Sequence, residues 1–160
     1  MNTERQKLNC DGLFEKINLH FQFLKKEYDF EVTHSSSKKH GEYCLLIYES
    51  PHCQIRFMHD KGTVQVDVGG KDAPKSWPQS SLDKGKWYPL RVVIDFIYNE
   101  LPKTEEEISA EGHELFNMTI EENLTDLSQK LKPVINKVNS LFDESSAYRS
   151  KHELDAYLGI

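Results

Sequence analysis

The chain has 160 residues, 38% hydrophobic and 29% charged, with eight Phe, seven Tyr and two Trp. That content suffices for one aromatic-rich core and argues against disorder. No apolar run approaches the ~20 residues that span a bilayer. The polar stretch Met1 to Asp11 lacks the apolar segment of a signal peptide, so the expected location is the cytoplasm. Three cysteines argue against a disulfide scaffold.

The net charge of −6 is unevenly spread. Residues 1–103 hold 15 Lys/Arg against 14 Asp/Glu, whereas residues 104–160 hold 5 against 12. Thr104 to Asp126 carries eight carboxylates and no Lys or Arg. Such a field repels phosphate backbones and excludes nucleic acid from that surface.

In chain order, Asp11 to Tyr28 predicts a helix, with Leu13, Ile17, Phe21, Leu24 and Tyr28 on one stripe. Four β-prone runs follow: Phe30–His34, Tyr43–Tyr48, Cys53–Met58 and Thr63–Val68, with Ser35 to Gly41 as a polar connection. Turn signals at Ser50-Pro51 and Asp60-Lys61-Gly62 make runs two to four an antiparallel meander. Pairing Phe57 with Val64 and Ile55 with Val66 keeps the apolar residues of the last hairpin on one side. The other side then shows Gln54, Arg56, Gln65 and Asp67, a polar face expected to be solvated. Run two is apolar on both faces, so it should be central and covered on its second side.

Gly69 to Lys86 is a long loop, followed by helical segments. Leu90–Asn99 is apolar and expected to be buried. Thr104 with Glu107, and Thr119 with Glu122, have the spacing of capping boxes. From Ile120 the stripe Leu124, Leu127, Leu131, Val134, Val138, Leu141 runs at spacings of 3 and 4, with Pro133 expected to break the helix near Gln129–Lys132. Ser145 or Ser146 is the expected cap of a last helix. The fold class is α+β: an N-terminal helix, an antiparallel sheet of about four strands, and a helical C-terminal half packed on the sheet. It forms a single domain over 1–160, with the sheet in about 11–89 and helices in about 90–160.

No catalytic constellation emerges. Cys44, His52, Cys53 and His59 lie close in sequence, with His34 and His40 upstream, but the cysteines are nine apart instead of the two to four of a zinc knuckle. They read as buried thiols among surface histidines, and no metal or cofactor is expected. Cys44 and Cys53 in mid-strand should be inert, and Cys10 exposed and incidental. Val68-Gly69-Gly70-Lys71-Asp72 lacks phosphate-loop spacing and reads as a turn. Glu105, Glu106 and Glu107 suit the first turn of a helix. Trp77 and Trp87 are either interface anchors or core-capping residues.

The series Leu13-Phe14, Phe21-Gln22-Phe23-Leu24, Tyr28-Asp29-Phe30-Glu31-Val32, Tyr48-Glu49-Ser50-Pro51, Gln54-Ile55-Arg56-Phe57 and Asp60-Lys61-Gly62-Thr63-Val64 resembles a group of small uncharacterised bacterial proteins. The C-terminal Ile135, Leu141-Phe142 and Tyr148-Arg149 to Leu154 is similar to the ends of those chains. The resemblance implies a helper or immunity-type protein encoded near toxins and defence systems, and it carries no site residues. The leading expectation is therefore a non-enzymatic module that neutralises or regulates another protein, such as a basic toxin or nuclease. Its partner-binding residues would be Glu105, Glu106, Glu107, Glu111, Trp77 and Trp87. The alternative is a small-molecule or nucleotide sensor using Gln54, Arg56, Gln65 and Asp67. A small hydrolase or metal-dependent enzyme ranks third.

Overall fold

The computed structural model describes residues 3–60, 62–79, 83, 85–98, 104–143 and 147–159. Helices α1 (Thr3–His20) and α2 (Gln22–Glu27) precede four strands: β1 (Glu31–Lys38), β2 (Tyr43–Glu49), β3 (Gln54–Asp60) and β4 (Thr63–Gly69). After the 70–86 segment come a short β5 (Trp87–Pro89) and helices α3 (Leu90–Ile97), α4 (Glu105–Asn117), α5 (Ile120–Leu131), α6 (Ile135–Phe142) and α7 (Ala147–Leu158). The class is α+β as expected, with five strands rather than four among the described residues, in the order β1-β2-β3-β4-β5, all antiparallel. Strand β5 escapes the sequence pattern because it is three residues long and ends on a proline.

The expected single first helix is two. Phe21 leaves helical geometry (φ −112°, ψ 22°), and its fully buried ring meets Phe57 edge-on at 4.8 Å. The break turns both helical pieces onto the sheet. Helix α1 also starts well before Asp11, which places Cys10 on the stripe of Leu13 and Ile17. Cys10 is buried and forms a disulfide with Cys44 of β2. The reading of Cys10 as exposed and of Cys44 as a thiol is thereby corrected; Cys53 alone is a free, buried cysteine. Its thiol is pushed up to about 12 by burial, consistent with an inert role.

The β3–β4 hairpin keeps the expected face but shifts the register by two residues: Phe57 pairs with Val66 and Ile55 with Val68. Because side chains alternate with period two, a two-residue shift leaves the faces unchanged, so hydrophobic pattern cannot distinguish the two registers. Turn chemistry does. Asp60 pairs with Thr63 across a two-residue turn, and Gly62 has φ +92°, a conformation that glycine adopts without a Cβ penalty.

One sheet face, carrying Leu46, Tyr48, Ile55, Phe57, Val66 and Val68, packs against α1, α3, α5 and α6 in the main core. The C-terminal stripe supplies Leu124, Leu127, Leu131, Val134 and Val138 to it, all buried. Pro133 sits in a 3-10 turn, Lys132–Val134, between α5 and α6, as the sequence predicts. The capping boxes form: Thr104 with Glu107 opens α4 and Thr119 with Glu122 opens α5. The cap expected at Ser145 or Ser146 lies outside the described residues. No helix is long and apolar enough to cross a membrane among the described residues.

Candidate functional site

Two regions carry the residues singled out from the sequence. The first is the polar sheet face, which proves to be covered. Gln54, Arg56 and Asp67 are 0, 1 and 3% exposed, because Gly70, Ala73, Ser76 and Asp83, from the described part of the 70–86 segment, lie against this face. Leu45 and Ile47 of β2, Ala73 and Trp87 form a second small apolar cluster beneath it, with Trp77 packed alongside. The covered second side expected for β2 is thus present, and the solvated face expected for β3 and β4 is not. Gln65, on the more open part of β4, donates to Asp67 Oδ1 at 3.1 Å.

The chain's own groups hold this layer together. Gln54 Nε2 donates to the carbonyls of Gly70 and Ala73, both at 2.9 Å. Arg56 and Asp67 are directly opposite on β3 and β4. One guanidinium nitrogen of Arg56 serves both Asp67 (2.8 Å) and Asp83 (2.9 Å), and the other donates to the Ser76 carbonyl at 3.2 Å. Burial raises the Asp67 carboxyl above the ordinary carboxylate range, while the Arg56 bond and charge oppose that rise. The Arg56 guanidinium also lies 4.4 Å from the Trp87 ring centre, a cation–π geometry. Trp87 Nε1 donates to the Pro74 carbonyl at 2.9 Å. Trp87, offered by the sequence as a partner-binding residue, is therefore a buried capping tryptophan. Trp77 is half-buried under Lys38, whose ammonium lies 4.5 Å from its ring.

Gly69 makes this closure possible. A Cβ there would sit 2.5 Å from the Lys86 carbonyl oxygen and 2.8 Å from Ala73 Cβ, so only glycine lets the segment return so close to β4. Gln54 Oε1, Arg56 Nε, Ser76 Oγ and Asp83 Oδ1 are buried without a hydrogen-bond partner among the described residues. Atoms of that kind carry a desolvation cost.

The second region is the acidic surface. Glu107, Glu111 and Glu114 follow helical spacing along one side of α4 and line an open cleft of about 530 Å³ with Ala110, Met118, Arg91, Asp126 and Lys130. The two cations of this cleft are already paired: Arg91 with Asp126 at 2.7 Å, and Lys130 with Asp126 at 3.2 Å. Arg91 also donates to Asn123 at 2.6 Å. Burial works against the charge on Asp126, but the bonds and charges of Arg91 and Lys130 outweigh it and hold the carboxyl below its ordinary range. Glu106 is exposed, Glu107 is exposed and engaged with Thr104, and Ile108 stands 58% exposed among them. The side chain of Glu105 lies outside the described residues. The structure thus brings Glu107 and Glu111 to one cleft, adds Glu114, Arg91 and Asp126, and leaves Trp77 and Trp87 in the sheet layer with Arg56. Glu114 was legible in the sequence, seven residues after Glu107 on the same helical side.

Among the described residues no three His, Cys, Asp or Glu side chains are grouped so as to hold a metal ion. Comparison with protein-family models, with curated proteins and with solved structures finds no match to this chain.

Proposed function

We propose that this chain is a non-enzymatic protein-binding module that neutralises or regulates a basic partner, a toxin or nuclease being the kind of protein such a surface suits. The observation that carries the reading is the α4 cleft, whose lining holds four carboxylates and two cations. The surplus negative charge steers a basic face toward it, and exposed Ile108 offers an apolar contact beside it. The test uses the whole chain as bait in its native host, with captured proteins identified by mass spectrometry. A stoichiometric basic partner is expected, and E111K/E114K should slow its association about tenfold or more while leaving the circular dichroism spectrum unchanged. Glu107 is left intact so that the Thr104 cap survives. Equal capture by parent and variant, or no stoichiometric partner at all, would sink the proposal.

A second reading, a small-molecule or nucleotide sensor at Gln54, Arg56, Gln65 and Asp67, has one observation in its favour. The unpartnered buried atoms of Gln54, Arg56, Ser76 and Asp83 provide two acceptors, one donor and one hydroxyl in a single layer. A ligand would enter by displacing the 70–86 segment. A thermal-shift screen of nucleotides and small polar metabolites should then yield a compound whose stabilisation disappears in Q54L; a flat screen eliminates this reading.

The location expected from the polar N-terminus, the cytoplasm, stands against the Cys10–Cys44 disulfide, a bond that persists mainly in oxidising compartments.

A further inference from the structure

Strand β1 ends the sheet at one side, and it is the long edge. The opposite edge, β5, is three residues long and runs directly into α3. A long edge strand presents a row of backbone donors and acceptors to any strand of matching register. The residues of β1 are nearly all exposed: Glu31, Val32, Thr33, Ser35, Ser37 and Lys38 are open, while His34 and Ser36 are half-buried.

The register against β2 fixes which residues of β1 share a face. Glu31, His34, Ser36 and Lys38 pair with Glu49, Ile47, Leu45 and Tyr43, on the side of the Leu45, Ile47, Ala73 and Trp87 cluster. Val32, Ser35 and Ser37 pair with Tyr48, Leu46 and Cys44, on the helix side. Between Val32 and His34 the ladder has a bulge that takes up Thr33 as an extra residue. Counted without Thr33, β1 has seven regular positions opposite the seven of β2, centred on Ser35.

A strand of seven positions can meet a second copy of itself about a two-fold axis normal to the sheet. Ser35 then faces Ser35, Ser36 faces His34, Ser37 faces Val32 and Lys38 faces Glu31. Every pair has both members on the same side of the joined sheet, which antiparallel pairing requires. The two ends each bring a carboxylate against an ammonium. Like charges never face each other, although Glu31 and Lys38 are the strand's two formal charges at neutral pH.

We propose that β1 is a self-recognition edge and that two copies of this chain join there, antiparallel about Ser35, into one continuous sheet. The occupant is a second copy because the strand's charge order is self-complementary in the register that pairs all seven positions with the bulge left out and the faces matched. A single strand pair buries less surface than a standard interface, so the dimer is weak and concentration-dependent. The surface lies on a different element from the α4 cleft, and the proposal stands independently of the function proposed above.

Sedimentation velocity from about 10 μM to about 1 mM should show monomer passing to dimer, a range suited to small interfaces. E31K sets two pairs of like charges against each other at the strand ends and should weaken association about tenfold; E31K/K38E should restore it, since the charges are exchanged across the axis. Position-specific crosslinking reads the register: under mild oxidation S35C should give a covalent dimer in high yield, whereas S37C, opposite Val32 and far from its own symmetry mate, should not. A chain that stays monomeric throughout the range overturns the proposal. So do equal association by E31K and parent, or equal crosslinking by S35C and S37C.

Discussion

Replacing Arg56 with alanine should destabilise the chain by about 3–5 kcal/mol, the loss typical when one partner of a buried ion pair is removed. The guanidinium holds Asp67 at 2.8 Å and Asp83 at 2.9 Å, and the side chains of Arg56 and Asp67 are 2 and 4% exposed. Without the cation, Asp67 keeps its buried charge with only the Gln65 amide to serve it, and the 70–86 segment loses its tie through Ser76 and Asp83. R56K should recover only part of the loss, because an ammonium cannot fork between two carboxylates and a carbonyl while stacking on Trp87. R56M/D67N should be milder than R56A, since the more deeply buried of the two stranded charges, that of Asp67, is gone and only Asp83, 16% exposed, is left without its cation. The pH dependence follows from Asp67. Burial already raises its carboxyl in the fold, and removing Arg56 removes the opposing influence. A carboxyl whose folded value exceeds its unfolded one binds protons in the native state, so the variant regains stability as pH falls through the raised value. Urea denaturation at neutral and mildly acidic pH measures both effects. A loss below about 1 kcal/mol would mean that Asp67 and Asp83 reach solvent once Arg56 is gone, as an exposed pair does.

The same cluster shows where sequence reading stops. Period-two alternation placed Ile55, Phe57, Val66 and Val68 on the core side and Gln54, Arg56, Gln65 and Asp67 on the other, and the structure keeps that division. Alternation cannot tell a polar residue facing water from one facing a buried polar layer, because both are simply polar. What decides is a long-range event, the return of Ala73, Ser76 and Asp83 to the sheet, permitted at Gly69 and anchored by Trp87 and Asp83. The tryptophans and the length of that loop were visible, but not the surface they would meet. The helical half was more legible. Capping boxes and the stripe from Ile120 are local signals, and Pro133 acts on its own helix through a missing N–H. Phe21 broke the first helix through packing on Phe57, which no local propensity encodes. The acidic cleft was legible as charge on α4; its other wall, Arg91 and Asp126, came from α3 and α5 and required the fold.

Breaking the bond between Cys10 and Cys44 should cost about 3–4 kcal/mol on the loop-entropy scale for the 34 residues that separate them. The bond ties α1 to β2 near the end of the helix stripe that also carries Leu13 and Ile17. Its removal frees the first turns of α1 in the unfolded chain and unpins them in the folded one. C10A/C44A should therefore unfold at lower urea than the parent and be indifferent to reductant, while the parent should lose stability on reduction. Cys53 provides an internal reference, being fully buried with its thiol pushed up to about 12. Protein taken from its native host and alkylated after unfolding should accept one label before reduction and three after. Three labels before reduction would show reduced thiols in the host and restore the cytoplasmic reading. One label places the folded chain where disulfides persist, and any basic partner of the α4 cleft must then be met in that compartment.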